Sequence, residues 1–350
     1  MTRIERLQEK MKKEGVVNCI ISDNSALRYF IDHSFSCGER LVALVVAQEG
    51  TPKLILNDLF PLQQEEGFEL VRYNDTEDGV SVVARYVNGK VAVDKFWNAG
   101  FLIRLLQQRP DLDVIDGNIV DRIRSIKDET EKQKMRQASL NNDAVMARVR
   151  ELIQVGKTEK QLEQEINQAF LEIAHSEPSF ETIVGFAENC ADPHAVPTDK
   201  VLEEGMSIIV DMGCKFEGYC SDMTRSFFVG ENTMEEVYNT VLKAQLAGIA
   251  AVKPGVRFCD IDHAVRSVIE EAGYGPYFIH RTGHGIGLSV HEPFDVSAVD
   301  EIVVEPGMCF SIEPGIYLPG KGGIRIEDLV MCTEDGVEVL NHAPKDQPVL

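Results

Sequence analysis

Two ten-residue stretches of this chain read as one segment written twice. EGMSIIVDMG (204–213) lies on PGMCFSIEPG (306–315) without a gap, setting Gly205 on Gly307, Met206 on Met308, Asp211 on Glu313 and Gly213 on Gly315. Each places an acid in an apolar strand and is followed by a turn and another strand bearing an acid: Asp222 in YCSDMTRSFFVG and Glu327 in GGIRIEDLV. Self-similarity of this kind marks a supersecondary unit used more than once. A pair of helical patterns precedes each copy. Ahead of the first, Met135, Ala138, Val145, Val149 and Leu152 share one face, and a helix starting at Thr158 with Gln161 carries Leu162, Ile166, Phe170 and Ile173. Ahead of the second, Thr233 and Glu236 are expected to cap a helix bearing Val237, Val241 and Ala244, followed by a helix from about Asp260 to Ala272. The expected plan is helix, helix, strand, strand, twice over, with both copies sending two carboxylates to a shared place.

Strand alternation puts Asp211 on the face of Ile209 and Ser207, and Glu313 on the face of Ser311 and Cys309. A buried, unpaired carboxylate costs several kcal/mol, so acids in SIIVDMG and CFSIEPG require a cation, a hydrogen-bond network or a proton. Two divalent ions would set four positive charges against Asp211, Asp222, Glu313 and Glu327, and a pair of metals can activate water as a nucleophile. Any one of these acids, taken alone, reads as an ordinary turn or surface residue; the matched repeat makes that reading hard to sustain for Asp211 and Glu313. A histidine is the expected remaining ligand, and HRTGHGIGLSVHE (280–292) offers His280, His284 and His291 among Gly283, Gly285 and Gly287. Leu288 stands where a dinucleotide fingerprint needs glycine, which excludes that use of the segment. His33, His175, His263 and His342 sit in no motif.

The first part of the chain alternates differently. Thr2 and Glu5 form a capping-box pattern before Ile4, Leu7 and Met11 at helical spacing, and Gly15 stops the helix. VVNCIIS (16–22), LVALVVA (41–47), KLILN (53–57) and VAVD (91–94) read as strands, the middle two as a hairpin. This is an α/β pattern. It ends near DRIRSIKDETEKQ (121–133), where Asp128 and Glu131 can cap the next helix, and divides the chain into domains 1–125 and 126–350. A net charge of -22 argues against nucleic acid and anionic membranes as partners. The eight cysteines have no CxxC pairing and read as reduced thiols. The charged opening MTRIERLQEKMKKEG and the lack of a long apolar run give the expectation of a cytoplasmic protein.

The motifs DMGCKFEGYCSDMTR, HRTGHGIGLSVHE, SIEPGIY and IRIEDLV resemble those of the pita-bread metallopeptidases, which include methionine aminopeptidase, Xaa-Pro aminopeptidase and prolidase. The family's order of two aspartates, a histidine and two glutamates falls on Asp211, Asp222, His284, Glu313 and Glu327. The likeness covers roughly 131–341; the first domain resembles the creatinase-type amino-terminal domain in length and pattern. It implies an α/β N-terminal domain followed by an α+β pita-bread domain with an internal pseudo-twofold repeat. It also implies two divalent ions per subunit, with manganese foremost and cobalt, zinc or iron as alternatives.

Further residues follow from the resemblance. Glu313 would be both ligand and proton-handling base, with His194 (in ENCADPHAVPTD) and His291 as hydrogen-bond donors and proton shuttles. Thr224 and Arg325, each two residues from a ligand, would orient Asp222 and Glu327 respectively. The two-domain form implies cleavage before proline, since methionine aminopeptidases usually lack the first domain and creatinase does not keep the ligands. A dipeptidase must hold a free carboxylate, for which arginine is the natural partner. GERLVALVV (38–46) resembles a prolidase loop that reaches a neighbouring subunit, making Glu39 and Arg40 substrate-binding candidates in a homodimer, with His280 and Arg281 as others. Some prolidases carry an arginine shortly after the HE pair; here HEPFD places Asp295 there. Prolidase is the favoured expectation, ahead of an Xaa-Pro aminopeptidase acting on longer peptides. A non-catalytic binding protein on the same fold is a third reading, against which the complete ligand set counts.

Overall fold

The computed structural model describes all 350 residues and divides into two units, Met1–Arg124 and Ser125–Leu350. In the first unit, Glu5 N donates to the Thr2 hydroxyl at 3.2 Å and Thr2 N to the Glu5 carboxylate at 2.6 Å, closing the capping box of α1 (Arg3–Glu14). Gly15, at φ 67°, ends that helix. A six-stranded mixed sheet follows, built from β1 (Asn18–Ile21), β2 (Val42–Ala47), β3 (Lys53–Asn57), β4 (Glu69–Tyr73), β5 (Lys90–Val93) and β6 (Asp113–Asp116) in the order β4-β3-β2-β1-β5-β6. The β1, β2 and β3 pairings are antiparallel, whereas β3/β4, β1/β5 and β5/β6 are parallel. Helices α2 (Asn24–Ile31), α3 (Gly79–Ala84) and α4 (Ala99–Gln108) connect the strands, and α5 (Asn118–Ser125) follows β6. Consecutive residues of β1 and β2 are buried, as in Cys19, Ile20 and Ile21, which is why these strands read as continuous apolar runs rather than alternating ones.

The second unit opens with α6 (Glu129–Leu152) and α7 (Glu159–Ala169), each started by a reciprocal box, Asp128 with Glu131 and Thr158 with Gln161. A wider turn, Phe170–Ala174, extends α7. Then come β7 (Ile183–Phe186), β8 (Ser207–Met212), the short pair β9 (Lys215–Phe216) and β10 (Tyr219–Cys220), and β11 (Met223–Phe228), with sheet order β11-β8-β7. The plan repeats with α8 (Glu235–Ala251) and α9 (Phe258–Glu271). The second sheet uses β12 (Gly283–Gly285), β13 (Glu292–Val296), β14 (Cys309–Ile312), β17 (Asp328–Cys332) and β18 (Val337–Val339) in the order β13-β12-β14-β17-β18, with β15 (Gly315–Leu318) and β16 (Gly322–Arg325) as a separate hairpin. Each helix pair buries its apolar stripe with its own strands: Val149, Leu162 and Ile166 cluster with Ile208 and Val210, and Val241, Val265 and Ile269 with Phe310 and Ile312.

Two local expectations need correction. Thr233 does not cap α8: its hydroxyl donates to Gly205 O at 2.7 Å, and Met234 takes the N-cap position with no side-chain bond. Helix α9 starts at Phe258, two residues before Asp260, because Asp260 reaches back to Arg257 N and so sits three positions inside the helix. All eight cysteines are unpaired thiols.

Candidate metal centre

Asp211 is the penultimate residue of β8, and Asp222 sits just before β11, whose Thr224 stands opposite Asp211 in the ladder. In the second copy Glu313 follows the last residue of β14 and Glu327 lies between β16 and β17. His284 is the central residue of β12. Strand β12 can approach β14 closely because position 283 is glycine: a Cβ there would meet Ser311 O at 1.9 Å. The Ser311 hydroxyl then accepts from His284 N at 3.0 Å and donates to Glu313 Oε1 at 3.2 Å, tying two of the five groups together.

These residues converge. One ligand atom each from Asp222, His284 and Glu327 lies within 4.8 Å of the others, and all three residues are buried. His284 Nε2 is 3.5 Å from Glu313 Oε1 and 3.7 Å from Asp222 Oδ2. Its Nδ1 is 3.1 Å from Gly285 O, where only an N–H can donate, so the neutral ring turns an Nε2 lone pair toward two carboxylates. A lone pair facing two carboxylates is unfavourable unless a cation sits among them. Burial, followed by the neighbouring His291, lowers the His284 pKa to about 3, so protonation does not relieve the conflict near neutral pH.

The carboxylates give the same result. Asp211 Oδ1, Asp222 Oδ1 and Glu327 Oε1 are buried without any hydrogen-bond partner. Burial first, then Glu327, Asp211 and Glu313, push Asp222 well above the ordinary range of an aspartate. Burial likewise raises Glu327 and Glu313. Arg325 is the one guanidinium bonded to a carboxylate of the cluster, through Nη2 to Asp211 Oδ2 at 2.8 Å, and it cannot balance four acids. Orphaned oxygens around an acceptor nitrogen form the donor set that divalent cations take, so the five residues fit such ions.

Thr224 and Arg325 each bond one of these acids, but across the repeat rather than within it. Thr224 donates to Glu327 Oε2 at 2.8 Å, not to Asp222, and Arg325 holds Asp211, not Glu327. The two copies face each other here: Ser226 of β11 exchanges hydrogen bonds with the backbone of Arg325 at the end of β16, so each side chain reaches the acid opposite.

A cavity of about 690 Å³ opens beside the acids. His194, His280, Arg281 and His291 line it, with Phe180, Ile183, Pro193 and Val196 supplying apolar wall. The ring of His291 lies 4.2 Å from that of His284, centroid to centroid. His280 is already committed on both nitrogens: Nδ1 donates to Arg281 O at 2.7 Å, so Nε2, 2.8 Å from the Tyr317 hydroxyl, accepts from it. Expected to bind substrate, His280 therefore keeps no polar atom for a ligand. Glu39 and Arg40 belong to the first unit, where Arg40 makes a two-pronged contact with Asp75 at 3.0 and 2.9 Å.

Four further residues support the site. Tyr317 links His280 to Arg325, accepting from Nη1 at 3.0 Å, and burial raises its pKa to about 12. Lys127 and Glu292 form a buried ion pair at 2.9 Å, and Glu292 also accepts from Leu288 N at 3.0 Å, in the turn between His284 and His291. Glu159 collects Phe186 N at 2.7 Å and Thr198 N at 2.8 Å, gripping both ends of the segment that carries His194. The HE dipeptide was a signal for Glu292; nothing local marked Tyr317, Lys127 or Glu159.

Two units, the second built of repeated helix-helix-strand halves around a carboxylate and histidine cluster, define a pita-bread metallopeptidase. The model of the creatinase/prolidase N-terminal domain matches residues 3–126 and that of metallopeptidase family M24 residues 133–334; the chain belongs to that family and is a hydrolase. A probable dipeptidase PepE of Mycobacterium tuberculosis is 38% identical over 344 residues, covering 95% of this chain and 92% of that protein. The dipeptidase PepE structure from Mycobacterium ulcerans is 34% identical with a TM-score of 0.93, covering 99% and 96% of the two chains. A prolidase structure from Thermococcus sibiricus is 31% identical with a TM-score of 0.91, covering 99% and 98%. No helix is long and apolar enough to cross a membrane.

Proposed function

We propose that this protein is an Xaa-Pro dipeptidase that works with two divalent metal ions, manganese foremost, held by Asp211, Asp222, His284, Glu313 and Glu327. The observation that carries the reading is the trio of orphaned carboxylate oxygens on Asp211, Asp222 and Glu327 beside a cavity with apolar wall on one side and histidines on the other. Bound there, the ions would supply Lewis acidity toward the scissile carbonyl and acidify water. Glu313, whose Oε1 is steadied by Ser311, takes the proton released by the attacking water. His194 and His291 line the cavity, donate hydrogen bonds to the oxygen that gains charge as the carbonyl becomes tetrahedral, and relay the proton taken up by Glu313 to the leaving nitrogen. His280 acts on Arg281 and Tyr317 rather than on substrate, keeping the Arg281 backbone in place. Arg281 reaches the carboxylate of the proline, and its charge is felt at Glu313.

The alternative, an Xaa-Pro aminopeptidase, differs only in what lies beyond the proline. Glu39 and Arg40 of a second subunit would close that space in a homodimer, which is the form proposed here. A time course on Ala-Pro beside Ala-Pro-Ala, with chelated and Mn²⁺-reconstituted protein, tests the reading. Selective, metal-dependent loss of Ala-Pro is expected; equal cleavage of both peptides refutes the dipeptidase assignment, and an active monomer refutes the role of Glu39 and Arg40. Metal-independent turnover removes the centre itself.

A further inference from the structure

Arg281 is the cavity's candidate for a substrate carboxylate, yet it already holds one. Its Nη1 lies 2.6 Å from Asp295 Oδ1, whereas Nε and Nη2 have no hydrogen-bond partner. The contact depends on an irregular piece of backbone. In the β12/β13 ladder Gly283 faces Val296 and His284 faces Asp295, but Gly285 faces Glu292, so Pro293 and Phe294 bulge out between the last two pairs. Phe294 takes φ 92°, a conformation costly to a bulky residue, and is held there by stacking on Phe258 at 5.7 Å between ring centroids. Bulges of this kind re-aim side chains next to active sites. Here the bulge sets Asp295 across from the metal-ligating candidate His284, and Asp300 secures it by accepting from Asp295 N at 3.2 Å.

We propose that Asp295 is a specificity-determining residue: by pairing with Arg281 it weakens, without abolishing, the hold on a free C-terminal carboxylate, and so also admits a dipeptide amide, which adds no residue beyond the one after the scissile bond. The N–H groups of Nε and Nη2 remain, enough to hold a neutral carbonyl oxygen, while a carboxylate has to share the arginine with Asp295. The inference rests on the assignment of Arg281 to the substrate's C-terminal side and bears on how strictly the enzyme is a dipeptidase.

The test compares kcat/KM for Ala-Pro with that for Ala-Pro-amide, and for Ala-Ala with Ala-Ala-amide, in the Mn²⁺-reconstituted wild type, Asp295→Asn, Arg281→Gln and the double variant. The pair is partly solvent-exposed, so Asp295→Asn should raise the ratio of dipeptide to amide about two- to fivefold, through KM rather than kcat. Arg281→Gln should lower the ratio, and in that background Asp295→Asn should have no further effect. An unchanged ratio in Asp295→Asn, or the same rise without Arg281, overturns the proposal. Turnover of Ala-Ala without Ala-Pro would refute the proline reading while leaving the carboxylate comparison measurable; turnover of none of the four overturns both.

Discussion

Replacing Lys127 with methionine isolates the buried ion pair that supports the His284–His291 turn. Lys127 and Glu292 side chains are only 2% and 4% exposed, at 2.9 Å, so the substitution leaves a buried carboxylate without its counter-charge, though Leu288 N at 3.0 Å and Ser289 N at 3.4 Å still donate to it. Removing one partner of a buried pair costs roughly 3–5 kcal/mol, whereas removing both charges is often close to neutral. Against a stability of about 5–15 kcal/mol the single loss is large. Lys127→Met should therefore move the urea midpoint, followed by far-ultraviolet circular dichroism, far to lower denaturant, and Lys127→Met/Glu292→Gln should recover most of it. The double variant should still turn over more slowly, because Leu288 N loses a charged acceptor beside His291. A single variant within about 1 kcal/mol of wild type, or a double variant no better than the single, would refute the view that this pair is held against desolvation.

Asp211→Asn and Glu327→Gln should lose metal-dependent hydrolysis and bound metal, measured by elemental analysis, with the circular dichroism spectrum largely kept; normal turnover in either removes the proposed centre. His194→Ala and His291→Ala should keep their metal and lose on the order of 10² or more in kcat, whereas equal loss of metal would make them ligands. Arg136 contacts Glu338 through two bonds of 2.7 Å and lowers the Glu338 pKa. A depressed carboxyl pKa contributes stability that is present above the unfolded value and lost as pH falls through the folded one. Arg136→Gln should thus be less stable than wild type at pH 7 by no more than about 1 kcal/mol, the pair being partly exposed, and the gap should close as the pH falls below about 4. A gap that widens on acidification would contradict the assignment.

Local signals determined a good deal of this protein. Three capping boxes, Thr2 with Glu5, Asp128 with Glu131 and Thr158 with Gln161, start helices where their four-residue patterns stand, because every atom involved lies within one helical turn. The same type of signal failed at Thr233, whose hydroxyl found Gly205 O in another part of the chain. The repeat with acids in apolar strands foretold convergence of Asp211, Asp222, Glu313 and Glu327, since a buried charge needs company wherever it is folded. Sequence spacing could not say which partner each side chain would meet. Thr224 reaches Glu327 across 103 positions, Arg325 reaches Asp211 across 114, and Lys127 reaches Glu292 across 165. Alternation along a strand tells which face a residue occupies, but the neighbour across that face is chosen by the packing of one half of the repeat on the other. For the same reason Asp295 reads in sequence as a missing arginine, and only the bulge at Phe294 turns it into the partner of Arg281.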